Sequence, residues 1–187
     1  MTPPVANPHA VDAEAWTLMT KTAMLAEEDL RYLRMSADVL RDHVEAILDV
    51  WYGFVGANPH LLHYFTRPSD GRPNEAYLAA VRKRFGDWIL DTANASYDEA
   101  WRAKQVEIGR RHHRRGKNQT DRVDAIDHIH LRYIVLLIYP IWATLKPFLS
   151  KKGHTAGDVD KMHQAWLKSL LLQIALWSQP YVNEGDW

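Results

Sequence analysis

The sequence predicts an all-α fold in a single domain, 1–187. Three observations carry that expectation. Apolar residues recur in steps of three and four along most of the chain. No run alternates apolar and polar residues as a half-buried strand would. The breaks between the periodic runs carry helix-end signals, namely a capping box, a glycine after two lysines, and prolines just past the last apolar residue.

The first periodic run, Asp12 to Leu25, places Trp16, Met19 and Ala23 on one face and predicts an N-terminal helix. From Glu28 a longer stripe passes through Leu30, Leu33, Ala37, Leu40, Val44, Ile47, Leu48, Trp51 and Val55, with a break expected near Ser36. The segment 56–73 carries Asn58-Pro59, Arg67-Pro68 and Asp70-Gly71, so it reads as loop-rich. Leu61, Leu62, Tyr64 and Phe65 make it too apolar for a solvated loop, and it is expected to fold inward. Tyr77, Leu78, Val81, Phe85, Trp88 and Ile89 mark a helix over 74–91. Ser96 to Glu99 reads as a capping box that opens a helix through Trp101 and Ile108 to a pair of histidines.

Two further helices are expected over 121–149, kinked at Pro140, and over 156–178, with Gly153 ending the former. Both contain runs, I-V-L-L-I-Y-P-I-W and S-L-L-L-Q-I-A-L-W, that are apolar nearly all round. Such helices must be covered on a second side, either as central helices or at a subunit interface.

Composition removes several function classes. Lys plus Arg equals Asp plus Glu at 23 each, so the basic excess of a dedicated nucleic-acid binder is missing. There is no cysteine, which excludes disulfides, thiolate metal sites and cysteine nucleophiles. The first nine residues show no secretory signal pattern. The most apolar run, Tyr133 to Ala143, is shorter than the ~20 residues a membrane span needs. A cytoplasmic protein without membrane or nucleic-acid partners is expected.

The segment I-G-R-R-H-H-R-R-G-K-N-Q-T, Ile108 to Thr120, holds the most pointed chemistry. The buried stripe through Trp101 and Ile108 continues four residues on to His112. His113 is rotated ~100° from it, toward the charged face and solvent. Basic residues at a helix C-terminus also complement its dipole, which suffices for His113 and the arginines. Asp127-x-x-His130 and Asp160-x-x-His163 have a di-metal spacing but lack the accompanying glutamates, so they read as surface polarity. Neither a nucleophile elbow nor a phosphate-binding glycine loop occurs. One inward histidine in a cysteine-free, aromatic-rich helical domain suits haem, which needs a single imidazole and an apolar crevice. Trp51, Tyr52 and Phe85 are candidates for the opposite wall.

W-Y-G-F-V-G (51–56), Y-L-A-A-V-R-K-R-F (77–85), W-I-L-D-T (88–92), the Arg111-His112-His113 cluster, L-R-Y (131–133), I-Y-P-I (138–141), K-P-F-L (146–149) and L-W-S-Q-P-Y (176–181) together resemble the protoglobins, in family order. The resemblance implies a globin fold with an N-terminal extension and extra helix, here 1–25. It also implies one b-type haem ligated by His112, with Trp51, Tyr52 and Phe85 on the distal side. Ile129, Leu137 and Ile141 match pocket positions of the family's G helix, and Ile108 is placed beside the cofactor. O2, CO and NO are the implied ligands, for gas binding, sensing or detoxification, and a homodimer through the last two helices is implied. The alternative is a haem enzyme with peroxidase-like or NO-consuming activity, or a scaffold for non-native carbene transfer. Lys104, Val106, Arg110 and Leu137 depart from the family pattern around the proximal helix and pocket.

Overall fold

The computed structural model describes residues 11–183 and 185–187; the N-terminal signal reading, on 1–9, lies outside them. Helix α1 (Ala13–Thr22) starts where the sequence places it, because the Asp12 carboxylate accepts from the Ala15 amide at 2.8 Å. Its Trp16 lies 6.3 Å from the Tyr97 ring and 6.0 Å from Trp101.

The long stripe divides into α2 (Glu27–Leu40), a 3-10 turn (Arg41–His43) and α3 (Val44–Gly56). The break is therefore at Arg41–His43, not at Ser36. The Ser36 hydroxyl donates to the Leu33 carbonyl at 2.6 Å and accepts from the Trp166 indole at 2.9 Å, so it is bonded within the helical path. Lys152 instead grips the tightened turn, at 2.9 Å from Asp42.

The segment after α3 folds inward as expected, through α4 (Pro59–Leu62), a 3-10 turn (His63–Phe65) and a bridge between Thr66 and Pro73, with Leu61 and Tyr64 buried. Helix α5 (Glu75–Asn94) is capped by Asn74, whose side chain accepts from the Tyr77 amide. Helix α6 (Glu99–His112) corrects the capping box. Its N-cap is Asp98, accepting from the Trp101 amide at 2.8 Å, and not Ser96. Tyr97 stands at φ 47°, left-handed, so a helix cannot begin before it.

The helix expected from residue 121 begins only at α7 (Leu131–Leu136) and continues as α8 (Ile138–Leu149). Residues 121–130 do not form the expected first part, because side chains take the backbone groups a helix would use. Lys117, 3 % exposed, donates to the carbonyls of Tyr64, at 3.0 Å, and Ile126. Asn118 donates to the Ala125 carbonyl, and both Asn118 and Arg122 have positive φ. The register shift at Leu137 reflects Pro140, which has no N–H to offer the Leu136 carbonyl. Gly153, at φ 74°, follows the 3-10 turn Ser150–Lys152. Helix α9 (Ala156–Ser178) has the predicted bounds.

Helix α9 is the central element, packed against α2, α6 and α8, which accounts for its all-round apolar character. Along α7 and α8, by contrast, Val135, Leu136 and Tyr139 are exposed, as is Leu171 of α9. The stretch Leu131–Lys152 is long and apolar enough to cross a membrane by length and composition, contrary to the expectation drawn from Tyr133 to Ala143 alone. Its α8 part packs on α9, α3 and α2, and a core helix passes the same test.

Polar side chains fix α9 in register. Gln173 accepts from the Trp88 indole at 2.6 Å and donates to Ser169 at 3.0 Å and Thr92 at 3.3 Å, and Ser169 also bonds the Tyr97 hydroxyl. His163, only 4 % exposed, stacks on Trp142 at 4.0 Å; its Nε2 bonds the Trp142 carbonyl and the Trp142 indole donates back to the His163 carbonyl. His163 is thus a clasp between α8 and α9 and not the surface polarity its spacing suggested. Gln173→Leu should strand the Trp88 N–H in the core and cost about 1–3 kcal/mol. Calorimetry should then show the thermal midpoint falling by about 2–4 °C per kcal/mol.

Candidate functional site

The site begins with three residues on one face of α6: Gln105, Gly109 and His112. A β-carbon on Gly109 would lie 2.7 Å from the Trp177 α-carbon and 2.8 Å from its carbonyl oxygen, so only glycine lets α6 come this close to α9. The contact sets the Trp177 ring between two partners. Its indole N–H donates to Gln105 Oε1 at 3.1 Å, and its ring stacks on the His112 imidazole at 5.5 Å and 17°.

His112 Nδ1 lies 2.7 Å from the Ile108 carbonyl oxygen. A carbonyl can only accept, so Nδ1 carries the proton and Nε2 the lone pair. Nε2 has no hydrogen-bond partner among the described residues. Burial lowers the His112 pKa, against which the Ile108 bond works, while Lys117 and Arg111 add to the lowering. The ring is neutral at pH 7 and presents a free nitrogen donor. The Ile129 amide holds the end of α6 by donating to the His112 carbonyl at 3.0 Å. Tyr181 in turn donates to the Ile129 carbonyl at 2.8 Å. Ile129 itself sits in the loop before α7, not on the helix the resemblance implied.

His113 does not face open solvent as its rotation suggested. It is half-buried, edge-on to His128 at 5.0 Å and to Tyr181 at 4.9 Å. Its Nδ1 accepts from the Arg115 amide. Burial, then the charges of His128, Arg115 and Arg114, lower its pKa. His130 is engaged by the Tyr64 hydroxyl at 2.8 Å. Among the described residues no group of three or more carboxylates and histidines could hold a metal ion.

The opposite wall gathers most of the remaining candidates. A small cluster built on Trp51, Val55 and Leu61 carries Tyr52, Phe85, Leu137 and Ile141 at its edge. Trp51 meets Phe85 edge-on at 5.6 Å and 87°. Tyr52, Phe85 and Ile141 also touch the main core, as do Ile108 and Ile129. These side chains are only half-buried although they lie at the seam between two hydrophobic clusters, the pattern of an apolar crevice lining. The Tyr52 hydroxyl has no hydrogen-bond acceptor among the described residues. Burial raises its pKa, opposed by the Arg82 charge, so it stays a protonated donor.

The structure thus brings Trp51, Tyr52, Phe85, Leu137 and Ile141 together, and joins them to His112 by ring contacts. Phe85 lies 5.3 Å from Trp88, and Trp88 5.9 Å from Trp177. A small cavity of about 10 Å³ is lined by Trp51, Phe85 and Ile141 together with Trp88 and Trp166, but not by His112, Tyr52, Ile108, Ile129 or Leu137. Gln105, Gly109 and Trp177 are the site residues that sequence reasoning missed. The glycine inside an otherwise helical run was the available signal. Of the family departures, Lys104 pairs with Asp91 and ties α6 to α5.

With this geometry the comparison with known proteins is specific. The protoglobin family model matches residues 12–187. The chain belongs to the protoglobin family. No curated protein matches it. Among solved structures, this protoglobin is similar to the globin domain of the Geobacter sulfurreducens globin-coupled sensor, at TM-score 0.68 and 14 % identity over 89 % of this chain and 97 % of that one. That likeness is one of fold, and it makes the helical architecture a globin fold.

The family implies a haem, and the donor set fits one. A neutral imidazole offers an unshared Nε2, its tautomer is fixed by a backbone carbonyl, and the seam beyond is lined by apolar side chains. The cavity of about 10 Å³ is far smaller than the roughly 300–1,000 Å³ of small-molecule sites. The fit therefore rests on the imidazole and the lining, not on a ready-made slot.

Gly109→Ala should test the close approach. Forcing α6 and α9 apart should cost about 1–3 kcal/mol, read as a lower urea midpoint. An unchanged midpoint would show that the helices are free to separate there.

Proposed function

We propose that this protoglobin, as one domain over 1–187, holds one b-type haem on His112 and binds O2, CO and NO there. The observation that carries the reading is His112 itself, with Nδ1 committed to Ile108 and Nε2 left as a free donor. A ferrous haem held by a single imidazole offers an open position to diatomic ligands. Ile108, Ile129, Leu137 and Ile141 exclude water with apolar surface. Trp51 and Phe85 shape the distal side, and Tyr52 supplies a hydrogen-bond donor. The deciding measurement is the absorption spectrum of the purified protein. A strong Soret band is expected, and a colourless protein that cannot be reconstituted overturns the reading.

His112→Ala should lose the haem or its axial ligation, whereas His113→Ala should keep a near-normal spectrum. The reverse pattern would move the ligand to His113.

Trp51 and Tyr52 are adjacent on α3, so their side chains diverge by ~100° and cannot share a role. A neutral hydrogen bond is worth ~1 kcal/mol, which is about fivefold in rate. Tyr52→Phe should therefore speed O2 dissociation about fivefold and CO dissociation less. Equal, small effects on both would show that the hydroxyl does not face the ligand.

We further propose a homodimer through the last two helices. The exposed Val135, Leu136 and Tyr139, with Leu171, support this, since Leu136 and Tyr139 each keep 68 % of their surface accessible. Leu136→Glu should yield monomers in light scattering at a concentration where the unaltered protein is dimeric. A monomeric unaltered protein rules the dimer out.

A further inference from the structure

We propose that Gln105 is a positioning residue for His112, acting through Trp177. The inference rests on the haem reading of His112 for its consequence, but on packing alone for its geometry. Gln105 is fully buried, and its Oε1 accepts from the Trp177 indole at 3.1 Å. Its Nε2 has no hydrogen-bond partner among the described residues. A buried amide with a stranded N–H₂ is costly, and leucine would fill the same volume without that cost. Rotating the amide by 180° would set its donors against the indole donor. The side chain is therefore committed to one service, accepting from Trp177.

That service anchors the polar edge of a ring that otherwise packs only through apolar contact, against Trp88 at 5.9 Å and the surrounding core. Gly109 constrains the Trp177 backbone, and the hydrogen bond to Gln105 adds a directional constraint on the indole itself that apolar packing does not supply. With N–H anchored, the flat face of the indole lies 17° from the plane of His112, at a centroid distance of 5.5 Å. The imidazole is thus set by two contacts. The Ile108 carbonyl fixes its tautomer and one edge, and Trp177 fixes the tilt of its face. Gln105, Gly109 and His112 stand at i, i+4 and i+7 on α6, so acceptor, close contact and donor nitrogen share one helical face. Loss of such an outer partner typically weakens metal binding about 10–100-fold.

The test uses the full chain, reduced with dithionite and with CO added so that any haem iron is ferrous and diamagnetic. Nuclear Overhauser contacts between the His112 and Trp177 rings report the stack whether or not haem is present. Haem transfer to excess apomyoglobin reports the consequence. Gln105→Leu should abolish the ring contacts and speed haem loss about tenfold. Gln105→Glu keeps an acceptor oxygen and should preserve both. Val159→Ala, a cavity in the core at the far end of α9, should lower stability and leave both readouts unchanged. If Gln105→Leu does not fold, Trp177→Phe, which keeps a ring without the N–H, should show the same faster haem loss. Wild-type behaviour in Gln105→Leu, or in Trp177→Phe where it stands in, overturns the proposal. So does an equal acceleration in Val159→Ala. An unaltered protein that takes up no haem defeats the haem reading instead, and the ring contacts still decide whether Gln105 sets the stack.

Discussion

Two helices that touch with no side chain between them govern this structure. At Gly109, α6 lies so close to α9 that a β-carbon would fall inside the Trp177 backbone. Helix α9 is held from several sides, by α2, α6 and α8, which fixes its backbone in the domain. Pressing α6 directly onto it transfers that constraint to the next turn, where His112 stands. A second close approach follows at once. Gly116 lies where a β-carbon would be 2.7 Å from the Arg110 carbonyl oxygen, so the chain folds back over the helix it has just left. The end of α6 is clamped from both directions, and the imidazole inherits the precision of both contacts.

What could be read from the sequence follows from which signals are local. Helix α9 was legible to its ends because Gly153 before it and a proline shortly after it bracket an apolar run. The fate of residues 113–130 was not legible. Its backbone is satisfied by Lys117 and Asn118 reaching carbonyls of Tyr64, Ala125 and Ile126, and a lysine in a polar stretch gives no sign that it will be buried. Ser96 looked like a cap and Asp98 was one, because the left-handed Tyr97 between them is set by tertiary packing against Trp16 and Trp101. At the site, the inward direction of His112 came from periodicity, Trp51, Tyr52 and Phe85 were candidates for the opposite wall as aromatics, and the family resemblance added Ile129, Leu137 and Ile141. Trp177 and Gln105 meet across 72 positions. No spacing rule along the chain could have paired them.

The apolar appearance of α9 also concealed what makes it specific. A helix coated with leucines could slide or rotate among its neighbours with little change in buried area. Gln173, Ser169 and His163 remove that freedom, since each bonds a named partner on another element: Trp88, Tyr97 and Trp142. A one-residue slip would leave these groups unpaired in the core, and unpaired buried groups cost more than hydrophobic contact distinguishes. Serine and glutamine inside a run of leucines were therefore the informative letters, and the leucines the permissive ones.

The same helix connects the two walls of the site. On one side Trp177 carries the His112 face; on the other Gln173 pins Trp88, which lies against Phe85 and so against Trp51. Trp88 and Trp177 are themselves in contact at 5.9 Å. The imidazole wall and the Trp51–Phe85 wall are thus not independently adjustable, because both are referenced to α9 within a single chain of rings. A bulky substitution at Phe85 pushes on Trp88, whose ring meets Trp166 and Trp177 and whose N–H is held by Gln173. Trp166 is bonded to Ser36 and Trp177 to Gln105, so pressure on Trp88 meets two anchored rings, one of which supports the histidine. Access on one wall and orientation on the other are consequently coupled by packing, with no moving part needed to connect them.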